Sequence, residues 1–107
     1  MQALTRSERR SWLLHRRLSI DLTRERFDEW EPVIERNLEC LRGGVTGQPH
    51  ERNVERWSVL VDGRDLGGLK RVMTGLGRDA VEMREVSPMS GLLAEDERRE
   101  ARRGSAT

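Results

Sequence analysis

Phe27, Trp30, Ile34, Leu38 and Leu41 recur at spacings of three, four, four and three, a pattern that lines one face of an α-helix and suits no β-strand. A stripe this regular must be buried, so the rest of the chain has to supply cover for it. Pro32 falls inside the pattern. Lacking an N–H, it is best placed in a first turn, and the spacing predicts a helix that begins near Asp28 or Trp30 or is kinked there. The far side carries Asp28, Glu31, Glu35 and Glu39, which reads as a solvated face rather than an acid–base pair. Cys40, one position before Leu41, is expected as a small buried thiol.

An earlier helix is announced by Thr5-Arg6-Ser7-Glu8, the spacing of a capping box, in which hydroxyl and carboxylate each satisfy an orphaned backbone N–H. Trp12, Leu14, Leu18 and Leu22 then form a broad core-facing side. Leu13 and Ile20, seven apart, make a second stripe rimmed by Arg6, Arg9, Arg10, Arg16, Arg17 and Arg24. A helix with one core face needs no second stripe. Downstream, Gly43-Gly44 stops the second helix, and Gly47, Pro49 and His50 mark a loop. Val54, Trp57, Leu60 and Val61 predict a shorter helix ending at Asp62-Gly63; Leu66, Leu69 and Met73 predict another, closed by Thr74-Gly75. Arg78 to Val86 predicts a third, which Ser87-Pro88 forbids from continuing. Leu92 and Leu93 precede a charged helix over 95–103, and residues 104–107 are expected to fray. The expected fold is all-α: one helical domain over 1–107, with two longer N-terminal helices and several short C-terminal ones.

Leu, Ile, Val and Phe supply 24 of the 107 residues, enough for a thin core. Twenty basic residues stand against nineteen acidic ones, so bulk charge does not hold this chain on nucleic acid or membrane. The distribution is uneven: residues 1–26 carry a net +4 and residues 27–41 a net −4. No apolar run reaches the length of a membrane span and no secretory signal opens the chain, so a cytoplasmic protein without membrane contact is expected.

Motifs for catalysis are missing. His15 and His50 share no metal-binding spacing, and neither a metal site nor a cofactor is expected. Gly43 to Gly47 lacks the Lys-Ser or Lys-Thr of a phosphate loop. No catalytic residue stands out, and the chain reads as a non-enzyme. Val54 to Met73 has helix-turn-helix dimensions, but its second half offers only Lys70 and Arg71 as donors, with Gly67-Gly68 where a recognition helix needs side chains. A DNA-binding regulator of its own operon is therefore the alternative. The favoured reading starts from surplus apolar surface: Trp12, Leu13 and Ile20 among arginines, and an apolar end at Met89, Leu92 and Leu93. Interfaces are enriched in such combinations.

The pieces Leu4-Thr5-Arg6-Ser7-Glu8-Arg9-Arg10-Ser11 with Leu14-His15-Arg16, Asn37-Leu38, Trp57 with Leu60-Val61-Asp62-Gly63, and Met83 through Leu93 with Glu97-Arg98 resemble a family of small actinobacterial antitoxin-like proteins paired with nucleotidyltransferase-type toxins. The chain departs from that pattern at Met89, where an aromatic residue is usual, and at Ala94, where Ser or Thr is usual. The resemblance implies an antitoxin that binds a cognate toxin and covers its active site. With the surplus surface, it points to Arg9, Arg10, Trp12, Leu13, Arg16, Arg17 and Ile20 from the first helix, and to Ser87, Pro88, Met89, Leu92 and Leu93 from the C-terminal segment, as the contact. Complementary basic and acidic helices also suit a homodimer.

Overall fold

The computed structural model describes residues 3–93, 97 and 99–101. Thr5 starts α1 (Arg6–Asp21) as the full capping box: its hydroxyl accepts from the Glu8 N–H at 3.1 Å, and its own N–H donates to Glu8 Oε1 at 2.9 Å. Two residues past its end, Thr23 caps α2 (Arg24–Gly44), its hydroxyl accepting from Arg26 N–H at 3.2 Å. The second helix thus begins a turn before Asp28, because Thr23 supplies a cap that the apolar spacing does not reveal. Pro32 is accommodated inside it on the exposed side, four residues after exposed Asp28, whose carbonyl loses its helical donor there. Cys40 is exposed rather than buried. It lies two residues beyond Leu38, roughly 200° around the helix and off the stripe.

Three shorter helices follow: α3 (His50–Asp62), α4 (Leu66–Thr74) and α5 (Arg78–Glu85). The all-α expectation holds, with no strand among the described residues, and none of their helices is long and apolar enough to cross a membrane. α3, α4 and α5 pack on one another; α1 lies chiefly on α4 and also touches α5, whereas α2 lies on α3. Between α3 and α4 the chain turns in three residues, Gly63 to Asp65, with Arg64 in the left-handed region at φ 51°. Its guanidinium bonds Asp28 and Glu31 of α2 and stacks over Phe27, 4.8 Å from the ring centroid. Those contacts link the exposed turn to α2. At Gly68 a Cβ would come within 2.5 Å of Asp65 Oδ2, the cap of α4, and 2.7 Å of Leu60 Cδ2, so any larger residue there makes those side chains shift.

The core is centred on Trp57. Leu18 and Leu22 reach it from α1, Phe27, Trp30, Ile34 and Leu38 from α2, Val54 and Val61 from α3, Leu69 and Met73 from α4, and Met83 from α5. The entire α2 stripe through Leu38 is buried, as its spacing predicts. Trp30 and Trp57 are core anchors. The expected fraying at 104–107 lies outside the described residues.

Candidate functional site

The residues singled out by sequence fall into two separate places. The first is the segment that follows α5. Pro88 and Met89 are buried, and Met89 belongs to the main core. Ser87, Leu92 and Leu93 are half-buried, with the two leucines packed against that core. Pro88 and Met89 therefore support the surface from beneath instead of meeting a partner directly.

Three polar side chains hold this segment. His15 Nδ1 faces the Ser11 carbonyl at 2.7 Å, which can only accept, so Nδ1 carries the proton; Nε2 then accepts from the Ser87 hydroxyl at 2.7 Å. Asn37 Nδ2 donates to the carbonyls of Pro88 at 2.8 Å and Ser90 at 2.9 Å. Trp57 Nε1 donates to the Met83 carbonyl at 2.7 Å. Helices α1, α2 and α3 thus each send one side chain to the chain between Met83 and Ser90. Nearby, buried Arg84 donates through one nitrogen to the carbonyls of Val72 at 2.8 Å and Gly75 at 2.7 Å, closing the C-terminal end of α4. The roles of His15, Asn37 and Arg84 were not assigned from sequence. A signal exists for two of them: His15 is in register with Leu18 and Leu22, and Asn37 lies three residues after Ile34. A polar residue in step with an apolar stripe has to find a buried partner.

A Ser–His contact invites comparison with a nucleophile and its base. Here the imidazole is oriented by a backbone carbonyl, and among the described residues no carboxylate bonds it. Burial, followed by the neighbouring Arg84 charge, lowers the His15 pKa to about 4, although the Ser11 carbonyl pulls the other way. Such an imidazole is a weak base at neutral pH. The pair is built to pin Ser87. A cavity of about 220 Å³ opens beside it between α1 and the segment, with Leu14, Leu18, Met89, Leu92 and Leu93 on its apolar walls. Among the described residues, no group of three or more His, Cys, Asp or Glu side chains is placed to hold a metal ion.

The second place is the outer face of α1. Leu13, expected to lack cover within the chain, is only 7% exposed. It is not part of the main core cluster, and the C-terminal helical residue Ala101 lines the same small cavity as Leu13, Arg16, Arg17 and Ile20. The chain therefore covers Leu13 itself, which corrects the expectation for Leu13. Ile20, on the same stripe, remains 66% exposed. Arg17 is partly engaged, bonding Asp21 at 3.2 Å and reaching Glu97 at 3.7 Å. Arg9, Arg10 and Arg16 are exposed and make no ion pair among the described residues; Arg16 lies over the Trp12 ring, 5.5 Å from its centroid. Trp12 is half-buried and donates from Nε1 to the Thr74 carbonyl at 3.0 Å, tying α1 to α4.

The outer face of α1 is thus basic and partly apolar, and it stands on a base fixed by Trp12 and His15. Its charges are available to a carboxylate or phosphate surface. The chain matches no family model, no curated protein and no solved structure, so its functional reading stands on this geometry and on the sequence motifs.

Proposed function

We propose that this protein is an antitoxin-like inhibitor that binds a cognate toxin enzyme, of nucleotidyltransferase type, and covers its active site. The observation that carries the reading is the outer face of α1, along which exposed Arg9, Arg10 and Arg16 and exposed Ile20 are carried on one helix, the three arginines without ion pairs among the described residues. A nucleotide-using enzyme presents acidic and phosphate-accepting positions at its site. Arginines on one rigid helix can occupy these while Ile20 supplies a buried anchor. Inhibition is then steric and electrostatic, and the protein itself performs no chemistry. Leu92 and Leu93 extend the apolar contact beside α1.

The test is co-expression with the product of the neighbouring gene. The two proteins are expected to purify together with the enzyme silenced, and Ile20→Asp combined with Arg16→Glu is expected to abolish the complex while far-UV circular dichroism stays unchanged. Retention of the complex by that double variant overturns the assignment of α1. A regulator is the second reading, favoured by the three-residue turn between α3 and α4. It prevails if the isolated protein binds duplex DNA with a steep salt dependence.

A further inference from the structure

Arg84 is a buried cation without a counter-ion. It is 5% exposed, its Nη1 is spent on the carbonyls of Val72 and Gly75, and its Nη2 is buried with no hydrogen-bond partner among the described residues. The nearby carboxylate of Glu8 is bonded to Arg78 at 2.8 Å. Burial lowers the Arg84 pKa, and the Glu8 charge does not make up the loss. With neutral carbonyls on one nitrogen and nothing on the other, this guanidinium is short of one acceptor, and a carboxylate is the acceptor that also balances its charge.

Two pockets reach Arg84. One, beside Thr5, Ser7 and Ser11, is also lined by both Glu8 and Glu85, whose charges repel an anion. The other is the cavity of about 220 Å³ between α1 and the segment after α5, walled by Leu14, Leu18, Met89, Leu92 and Leu93. Arg84 is the one cation among its described lining residues, since His15 is held uncharged; Glu85 also lines it, but is exposed and reaches Arg78 at 3.7 Å. His15 and Ser87 spend their polar atoms on each other, on the Ser11 carbonyl and on the Met89 N–H. The remaining wall therefore suits an apolar body. A cavity of about 150 Å³ takes a benzene ring, so about 220 Å³ has room for roughly nine non-hydrogen atoms.

We propose that this cavity is a binding site for a small aliphatic monocarboxylate, with its chain among the leucines and its carboxylate on Arg84. The site lies on the inner side of α1 and stands independently of the reading of the outer face.

The experiment titrates the isotope-labelled full-length chain with heptanoate, which has the required size, and follows backbone amides by NMR at neutral pH. Heptanol and heptylamine are the comparison ligands. Heptanoate is expected to bind saturably and to shift the amides of residues 14–18 and 84–93. Heptanol is expected to shift the same amides with about tenfold weaker affinity, the loss of one charge-assisted hydrogen bond, and heptylamine is expected not to bind. Arg84→Met is expected to bring heptanoate down to the affinity of heptanol, while Leu14→Trp, which adds bulk at the cavity wall, is expected to abolish binding of both. Because Arg84 also closes α4, far-UV circular dichroism checks its variant; should that variant unfold, the acid, alcohol and amine compared on the unaltered chain decide the role of charge. Equal affinity for acid and alcohol overturns the carboxylate assignment. Absence of heptanoate binding, shifts centred on other residues, or retention of binding by folded Leu14→Trp overturns the site.

Discussion

The two longest helices start alike, each on a threonine cap, and end in opposite situations. On α2 a single apolar stripe disappears into the core, while part of its acidic outer side is matched within the chain: Arg64 bonds Asp28 and Glu31, and Arg42 bonds Glu39 at 3.6 Å and Glu55 of α3 at 3.1 Å. On α1 only part of the apolar surface is used by the core, and four of its five arginines have no ion pair among the described residues. A helix with one stripe is satisfied by its own domain. On the second stripe of α1 the chain covers Leu13 and leaves Ile20 exposed.

This contrast is open to measurement. Ile34→Ala on α2 should cost about 2–5 kcal/mol of unfolding free energy through lost burial and a cavity, whereas Ile20→Ala on α1 should stay within about 0.5 kcal/mol. Urea denaturation of the two variants decides it, and equal costs would show that α1 has no free face. The inner side of α1 differs again, because His15 is buried and held uncharged. Its folded pKa of about 4 lies below the ordinary 6.5, so between those values the unfolded chain binds more protons. Stability should rise with pH across that window and decline as pH falls from 6.5 to 4, by about 3 kcal/mol for this group. His15→Gln should flatten that part of the profile; an unchanged profile would break the assignment.

Asn37→Ala removes two donors from the carbonyls of Pro88 and Ser90. It should cost about 1–3 kcal/mol and raise hydrogen exchange at the amides of residues 89–93, which probes how firmly α2 holds the segment beside α1. Arg64→Ala should have the smallest effect, under about 1 kcal/mol, since its ion pairs are exposed. A larger loss would mean that the α3–α4 turn depends on it.

Much of the fold was legible because helical periodicity and caps are local. The α2 stripe, the Gly63 and Thr74-Gly75 stops and the Ser87-Pro88 break all appear in the structure near their predicted positions. The apolar spacing and Pro32 place the start of α2 too late, because the cap that sets it is the Thr23 hydroxyl and the helix tolerates a proline on its exposed side. Of the candidate site, Arg9, Arg10, Arg16 and Ile20 were found as exposed residues. Pro88 and Met89 were not, since a turn followed by apolar residues reads the same whether it reaches outward or folds inward.

Local order along this chain, meaning where helices begin, which side of each is apolar and where charge collects, follows from residue spacing, because backbone hydrogen bonding and side-chain periodicity act within a few residues. Which of two apolar stripes on α1 the core takes, and how His15, Asn37 and Trp57 converge on the segment from Met83 to Ser90, depends on groups 26 to 72 positions apart. Contacts at such separation leave no periodic trace in the sequence; packing of α1 to α5 around Trp57 settles them together.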